Sequence, residues 1–198
     1  MLIILSSSMP LFSIVENVGA SLKETKEFQF FTYHDPIHGI KIQYPSNWMV
    51  DKKETLMYND ITKIVGFIKD PNSLTGAFLI SMYNLTNYED SQTTSLDELL
   101  NDNIDYYKEH YDDFNLIVSN TNLILAGTGS SAYKLVWIDM AGQYTIKTMQ
   151  LGTIMGSKVY VIQYYAELGE FRDNLPTIQK MIDSLKINTN AANQYVVR

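Results

Sequence analysis

The sequence predicts an α+β domain in which an antiparallel β-sheet is flanked by helices on both faces, an α/β/α sandwich. Three observations carry that prediction. Strand-like segments dominate after residue 26, and several are apolar on both faces. Two amphipathic helical segments lie far apart in the chain. No regular alternation of strand and helix, which a parallel sheet would need, is present.

The elements follow in order. Residues 27–33 (EFQFFTY) and 39–44 (GIKIQY) read as a hairpin around His34-Asp35-Pro36-Ile37-His38, where proline and Gly39 punctuate a turn. The second strand runs into Tyr44-Pro45-Ser46-Asn47-Trp48, a corner at which Trp48 is expected to pack beneath the sheet edge. Residues 61–68 and 77–83, rich in β-branched and aromatic types, flank Asp70-Pro71-Asn72-Ser73 and predict a second hairpin. Ser95 followed by Glu98 is a capping box, opening a helix over 95–111. Leu96, Leu99, Leu100, Ile104, Tyr107 and Tyr111 form its apolar stripe, while Asp97, Asp102, Asp105 and Lys108 read as a solvated face.

A meander follows, with strands over 114–125, 131–139, 143–154 and 158–166. In the last of these Val159 and Val161 alternate with Tyr160, Ile162 and Tyr164, so neither face is polar and the strand is expected at the centre of the sheet. A closing helix is predicted over about 174–186, with Leu175, Ile178, Met181, Ile182 and Leu185 inward and Pro176 in its first turn. Residues 188–198 lack a packing pattern and read as a flexible tail.

At 198 residues and 45% hydrophobic composition, one domain and one core are expected. The formal net charge of −7 and the absence of clustered Lys and Arg oppose binding to nucleic acid or to an anionic membrane surface, since both need grouped cations to displace counterions. Cysteine is absent, which excludes disulfides, thiolate metal sites and thiol nucleophiles. Residues 1–20 are expected to be a signal peptide or an N-terminal extension. MLIILSSSMPLF is apolar and too short to span a bilayer, Val18-Gly19-Ala20 offers a cleavage site, and no basic residue precedes Lys23. The triplet Asn84-Leu85-Thr86 is a glycosylation sequon compatible with export.

Few residues carry chemistry. His34, Asp35 and His38 are of types that bind zinc or manganese, but Pro36 and the hairpin signals favour a polar turn. Gly127-Thr128-Gly129-Ser130-Ser131 has the composition of a phosphate loop, yet no lysine follows and no helix opens there. Ser130 and Ser131 lie outside any nucleophile elbow, and the three histidines, His34, His38 and His110, suggest no triad. Tyrosine is abundant, at 14 residues. Tyr106, Tyr107 and Tyr111, with Tyr160, Tyr164 and Tyr165, are candidates for a ligand groove or protein contact, because a ring with a polar tip suits a half-buried surface; core packing is the simpler account.

Gly39, Tyr44, Pro45 and Trp48 at the front, Tyr164 in the last strand, and Met181, Ile182, Asp183 and Ser184 in the closing helix give the chain a resemblance to the PsbP family over about residues 28–187. The resemblance implies the fold that family shares with the Ran-binding Mog proteins and several bacterial lipoproteins. In plants such a protein is a lumenal subunit of photosystem II that helps retain calcium and chloride, whereas archaeal members occur without a photosystem. The low basic content departs from a subunit that docks on membrane protein through lysines.

The expectation is therefore a non-catalytic, extracytoplasmic and membrane-peripheral module, monomeric, that binds a membrane-associated protein partner. The alternative is a small-ligand or divalent-cation binding protein using a cleft beside the sheet. No cofactor is predicted, and weak hydrolase activity ranks last.

Overall fold

The computed structural model describes residues 29–56, 61–73, 75–85, 94–111 and 113–189. The expected signal segment, Thr86 of the sequon and the tail beyond residue 189 lie outside these. The elements are β1 (Phe30–Asp35), β2 (Ile40–Pro45), β3 (Met49–Asp51), β4 (Thr55–Leu56), β5 (Thr62–Ile68), β6 (Ala77–Asn84) and α1 (Leu96–His110), then β7 (Asn115–Leu125), β8 (Ser130–Ala141), β9 (Tyr144–Met155), β10 (Lys158–Glu167), α2 (Leu168–Ser184) and β11 (Lys186–Ile187).

Among the described residues two antiparallel sheets form. The large one runs β3-β5-β6-β10-β9-β8-β7, with β4 also on β5, and the small one runs β1-β2-β11. Strand β10 is thus the middle of the large sheet, as its two apolar faces predicted. It pairs with β9 through the two-residue turn Gly156-Ser157, and β8 pairs with β9 through Gly142-Gln143, the strands closing each turn as Met155 against Lys158 and Ala141 against Tyr144. Strand β7 forms one edge, and β3 and β4 share the other.

Alternate residues of β8 divide between two apolar clusters. Tyr133, Leu135 and Trp137 pack with Leu99, Leu100, Ile104 and Tyr107 of α1. Ala132 and Val136 belong with Ile178, Met181 and Ile182 of α2, a cluster that also takes Ile40, Ile42 and Ile187 of the small sheet. Side chains of a strand alternate between its faces, so the two helices serve opposite faces of the large sheet. Trp48 is buried in the α2-side cluster beside the corner that introduces it.

Helix α1 begins where the capping box places it, with the Ser95 hydroxyl accepting from the Glu98 N–H and the Glu98 carboxylate accepting from the Ser95 N–H. The second helix corrects the sequence reading in three respects. It starts at Leu168, six residues before the expected 174, because Phe171 is buried and stacks on Tyr164 with centroids 5.0 Å apart, so tertiary packing holds a first turn that has no side-chain cap. Pro176 accordingly lies inside the helix rather than in its first turn, and Leu175 is exposed rather than inward. The helix also ends at Ser184, and residues 186–187 form β11 instead of a last turn.

Strand β11 is held at both ends by missing side chains. A Cβ on Gly39 would overlap the Asn188 carbonyl, and one on Gly127 would overlap the Leu185 carbonyl. The Asn188 N–H donates to the Gly39 carbonyl at 2.9 Å, which ties the first described residue of the expected tail to the first hairpin. Gly127 belongs to the turn between β7 and β8. There the N–H groups of Thr128 and Gly129 both donate to the Leu125 carbonyl and the Ser130 N–H donates to Thr128 Oγ1, so the loop's donors close the turn themselves.

Candidate functional site

Between α1 and the sheet face beneath it lies a cleft of about 230 Å³. Its floor comes from the centre of the sheet, Ser81 and Tyr83 of β6, Val161 and Gln163 of β10 and Gln150 of β9. Leu99, Asp102, Asn103, Tyr106 and Tyr107 of α1 form the opposite wall, and Ile61, Leu85 and Thr94 close the margin. The spacing of the α1 residues explains their convergence, since positions 99, 102, 103, 106 and 107 fall on one helical stripe.

One polar group organises the floor. Gln150 is 1% exposed, and both ends of its amide are satisfied. Its Oε1 accepts from Tyr107 OH at 2.7 Å. Its Nε2 donates to Tyr133 OH at 2.7 Å and to Asn103 Oδ1 at 3.1 Å, while Asn103 Nδ2 donates to the Leu99 carbonyl at 2.6 Å. A buried amide must find partners for each donor and acceptor, and the ones found here hold two tyrosines and the α1 backbone in fixed positions. Tyr133 can occupy its place only because Gly152, opposite it on β9, has no Cβ to overlap the ring. By contrast, the side chains of Gln163 on the floor and Asp102 on the wall make no hydrogen bond among the described residues.

The six candidate tyrosines do not share one groove. Tyr106 and Tyr107 line the cleft, in an edge-to-face pair with centroids 5.6 Å apart. Tyr111, at the end of α1, contacts the far side of Tyr107 at 5.6 Å and is 37% exposed. Tyr160 and Tyr164 are buried in the opposite, α2-side cluster, where burial raises the Tyr164 phenol to about 12 and also raises Tyr160. They are core residues, and alternation along β10 is the physical reason. Tyr165 alternates back to the α1 side without reaching the cleft lining, and burial raises it too.

Beyond the end of the cleft, Tyr107 stacks on Trp137 at 4.5 Å and on Phe114 at 6.1 Å. Trp137 Nε1 and Asp139 Oδ1 are both buried here with no partner at hydrogen-bonding geometry among the described residues. Burial pushes the Asp139 carboxyl above the usual range, more than the neighbouring indole N–H lowers it. Burial first and the Asp139 charge second raise Tyr111.

The histidine turn bonds largely to itself, and His38 Nε2 also lies 3.8 Å from Glu54 Oε1. Asp35 Oδ1 accepts from the Ile37 and His38 N–H groups, and Asp35 Oδ2 lies 2.9 Å from His38 Nδ1. Burial alone would raise Asp35, but the bonds from the His38 side chain and the two N–H groups outweigh it and hold the carboxyl below the usual range. His34, adjacent to Asp35 on β1, alternates away from this pair. No group of three or more His, Cys, Asp or Glu side chains is gathered as a metal would require among the described residues. His110 stacks on Tyr106 at 4.0 Å, and its Nδ1 lies 2.8 Å from the Tyr106 carbonyl. No described helix is long and apolar enough to cross a membrane.

The family model of PsbP-like proteins matches residues 3–187. A search of curated proteins finds no match. Among solved structures the chain is similar to the cyanobacterial PsbP protein CyanoP of Synechocystis sp. PCC 6803, with a TM-score of 0.59 and 12% identity, covering 85% of this chain and 98% of that one. LpqN of Mycobacterium tuberculosis, involved in cell envelope biogenesis, gives a TM-score of 0.54 at 14% identity over 82% and 92% of the two chains. A protein of unknown function from Pseudomonas aeruginosa gives 0.51 at 13% identity over 81% and 98%. At such identities the structural likenesses speak for the fold, while the family match extends over nearly the whole chain. The chain belongs to the PsbP-like family.

Proposed function

We propose that this PsbP-like family member is a non-catalytic, extracytoplasmic module that binds a membrane-associated protein partner, with the cleft under α1 as its recognition site. The cleft itself carries the reading. Apolar and aromatic walls with a few polar groups set on rigid strands are the usual makeup of a binding site. At about 230 Å³ it falls below the roughly 300–1,000 Å³ of sites that enclose a whole small molecule. That size favours one protruding side chain of a larger partner.

A second reading, a small ligand held in the same cleft, is favoured by one observation, the unpaired Gln163 amide on a floor otherwise closed by Gln150. The divalent-cation form of that alternative has no ligand cluster among the described residues to support it.

The test is capture from a membrane fraction by the intact chain and by Val161→Phe, which pushes a ring into the cleft from its floor. Capture by the parent and loss in a Val161→Phe protein of unchanged melting temperature is the expected result. Equal capture by both would remove the cleft from partner binding.

A further inference from the structure

We infer that the cleft under α1 selects an alkyl cation, a primary ammonium or guanidinium carried on an apolar stem; the inference rests on the reading of the cleft as a recognition site. Among the described residues its lining contains no Lys, Arg or His, and Asp102 is the single formally charged side chain. An anion would enter against that carboxylate with no cation to receive it, whereas a cation gains from it.

The neutral lining points the same way. Tyr83, Tyr106 and Tyr107 line the space, and aromatic side chains are compatible with a cation nearby. Leu99 and Val161 supply apolar surface for a stem. Gln150 cannot turn toward a ligand because Tyr107, Tyr133 and Asn103 occupy its oxygen and nitrogen. The acceptors left without hydrogen bonds among the described residues are the Gln163 amide oxygen on the floor and the Asp102 carboxylate at the exposed margin. A donor-only head, ammonium or guanidinium, suits two acceptors.

The source can be a free organic amine or a basic side chain of a protein, and the experiment separates the two. Backbone amide resonances of Leu99, Asn103 and Val161 are followed during titration with n-butylguanidinium, with its neutral isostere n-butylurea, with n-butylammonium, with valerate, and with N-acetyl-lysine methylamide. The guanidinium is expected to move these resonances and to bind about fivefold or more tightly than the urea, the scale of one partly exposed ion pair with a ring contact added. Asp102→Asn should bring the two within about twofold, and added salt should act like that substitution.

A lysine derivative that binds more tightly than n-butylammonium supports a protein side chain as the source; the reverse supports a free amine. Urea or valerate binding as well as the guanidinium, or an Asp102→Asn protein that keeps full discrimination, overturns the inference. So does the absence of any cation-dependent shift. None of these results touches the capture experiment, in which loss in Val161→Phe would still identify the cleft as a partner site.

Discussion

The two faces of the large sheet are built on the same strands and differ in almost every other respect. The α2 face is dry: Phe67, Phe78, Ile80, Tyr160 and Ile162 of the large sheet are at most 2% exposed, covered by Ile40 and Ile42 of the small sheet and Ile178 of α2. The α1 face mixes tyrosine, tryptophan and glutamine, ties its polar tips into one network around Gln150 and leaves a cleft beside it. Close-packed apolar atoms maximise stability, and a cavity forfeits part of that contact. The difference teaches that the α2 face secures the fold, while the hydrogen bonds around Gln150 let the α1 face keep the larger of two open spaces, about 230 against 130 Å³, without collapsing into it.

The largest effect should come from the dry face. Trp48→Ala removes a buried ring there and is expected to cost about 3–5 kcal/mol in urea denaturation. A cost below about 1 kcal/mol, the range of surface substitutions, would break the comparison at its strongest point.

A middle-sized effect belongs to the α1 face. Gly152→Ala places a methyl group where the Tyr133 ring sits, so it should cost about 1–3 kcal/mol by overpacking and shift the Tyr133 and Gln150 resonances together. If those resonances stay while stability falls, the network does not hold the cleft floor.

The smallest effect depends on pH. Burial raises the folded-state pKa of Asp139, so its contribution to stability is complete below the ordinary carboxylate value near 3.8 and is lost as pH rises through the folded value. Asp139→Asn should therefore match the parent in acid and be the more stable of the two at neutral pH. Asp35 and Asp51 have lowered values and act in the opposite sense, their contributions being present above that ordinary value and lost as pH falls through the folded ones. A melting curve for Asp139→Asn that tracks the parent at every pH would show that the carboxyl titrates as it does in the unfolded chain.

What the sequence makes legible follows from the range of each signal. Helix α1 is readable to within a residue because a capping box and a 3.6-residue stripe are local, and Leu99, Leu100, Ile104 and Tyr107 are buried as that stripe requires. The central place of β10 is readable from its two apolar faces. The start of α2 is not, since Phe171 earns its place by stacking on a tyrosine of another element, and β3, β4 and β11 are too short to display a period. Of the cleft, Tyr106 and Tyr107 stand out through the abundance of tyrosine, whereas Gln150 and Gln163 do not. The signal that could find them is a single amide inside a strand apolar on both faces, as in Met149-Gln150-Leu151 and Ile162-Gln163-Tyr164. Separating Tyr160 and Tyr164 from the helix tyrosines needs only the two-residue period of β10.

The clasp at β11 has a consequence in time. Pairing Ile187 with Ile40 joins the ends of the described domain, and a contact spanning so much chain carries a large loop-closure entropy, so it forms late. Interactions absent from the folding transition state leave the folding rate almost untouched and govern how fast the finished molecule comes apart. Substitution of Gly39 or Gly127 is therefore expected to speed unfolding more than it slows folding.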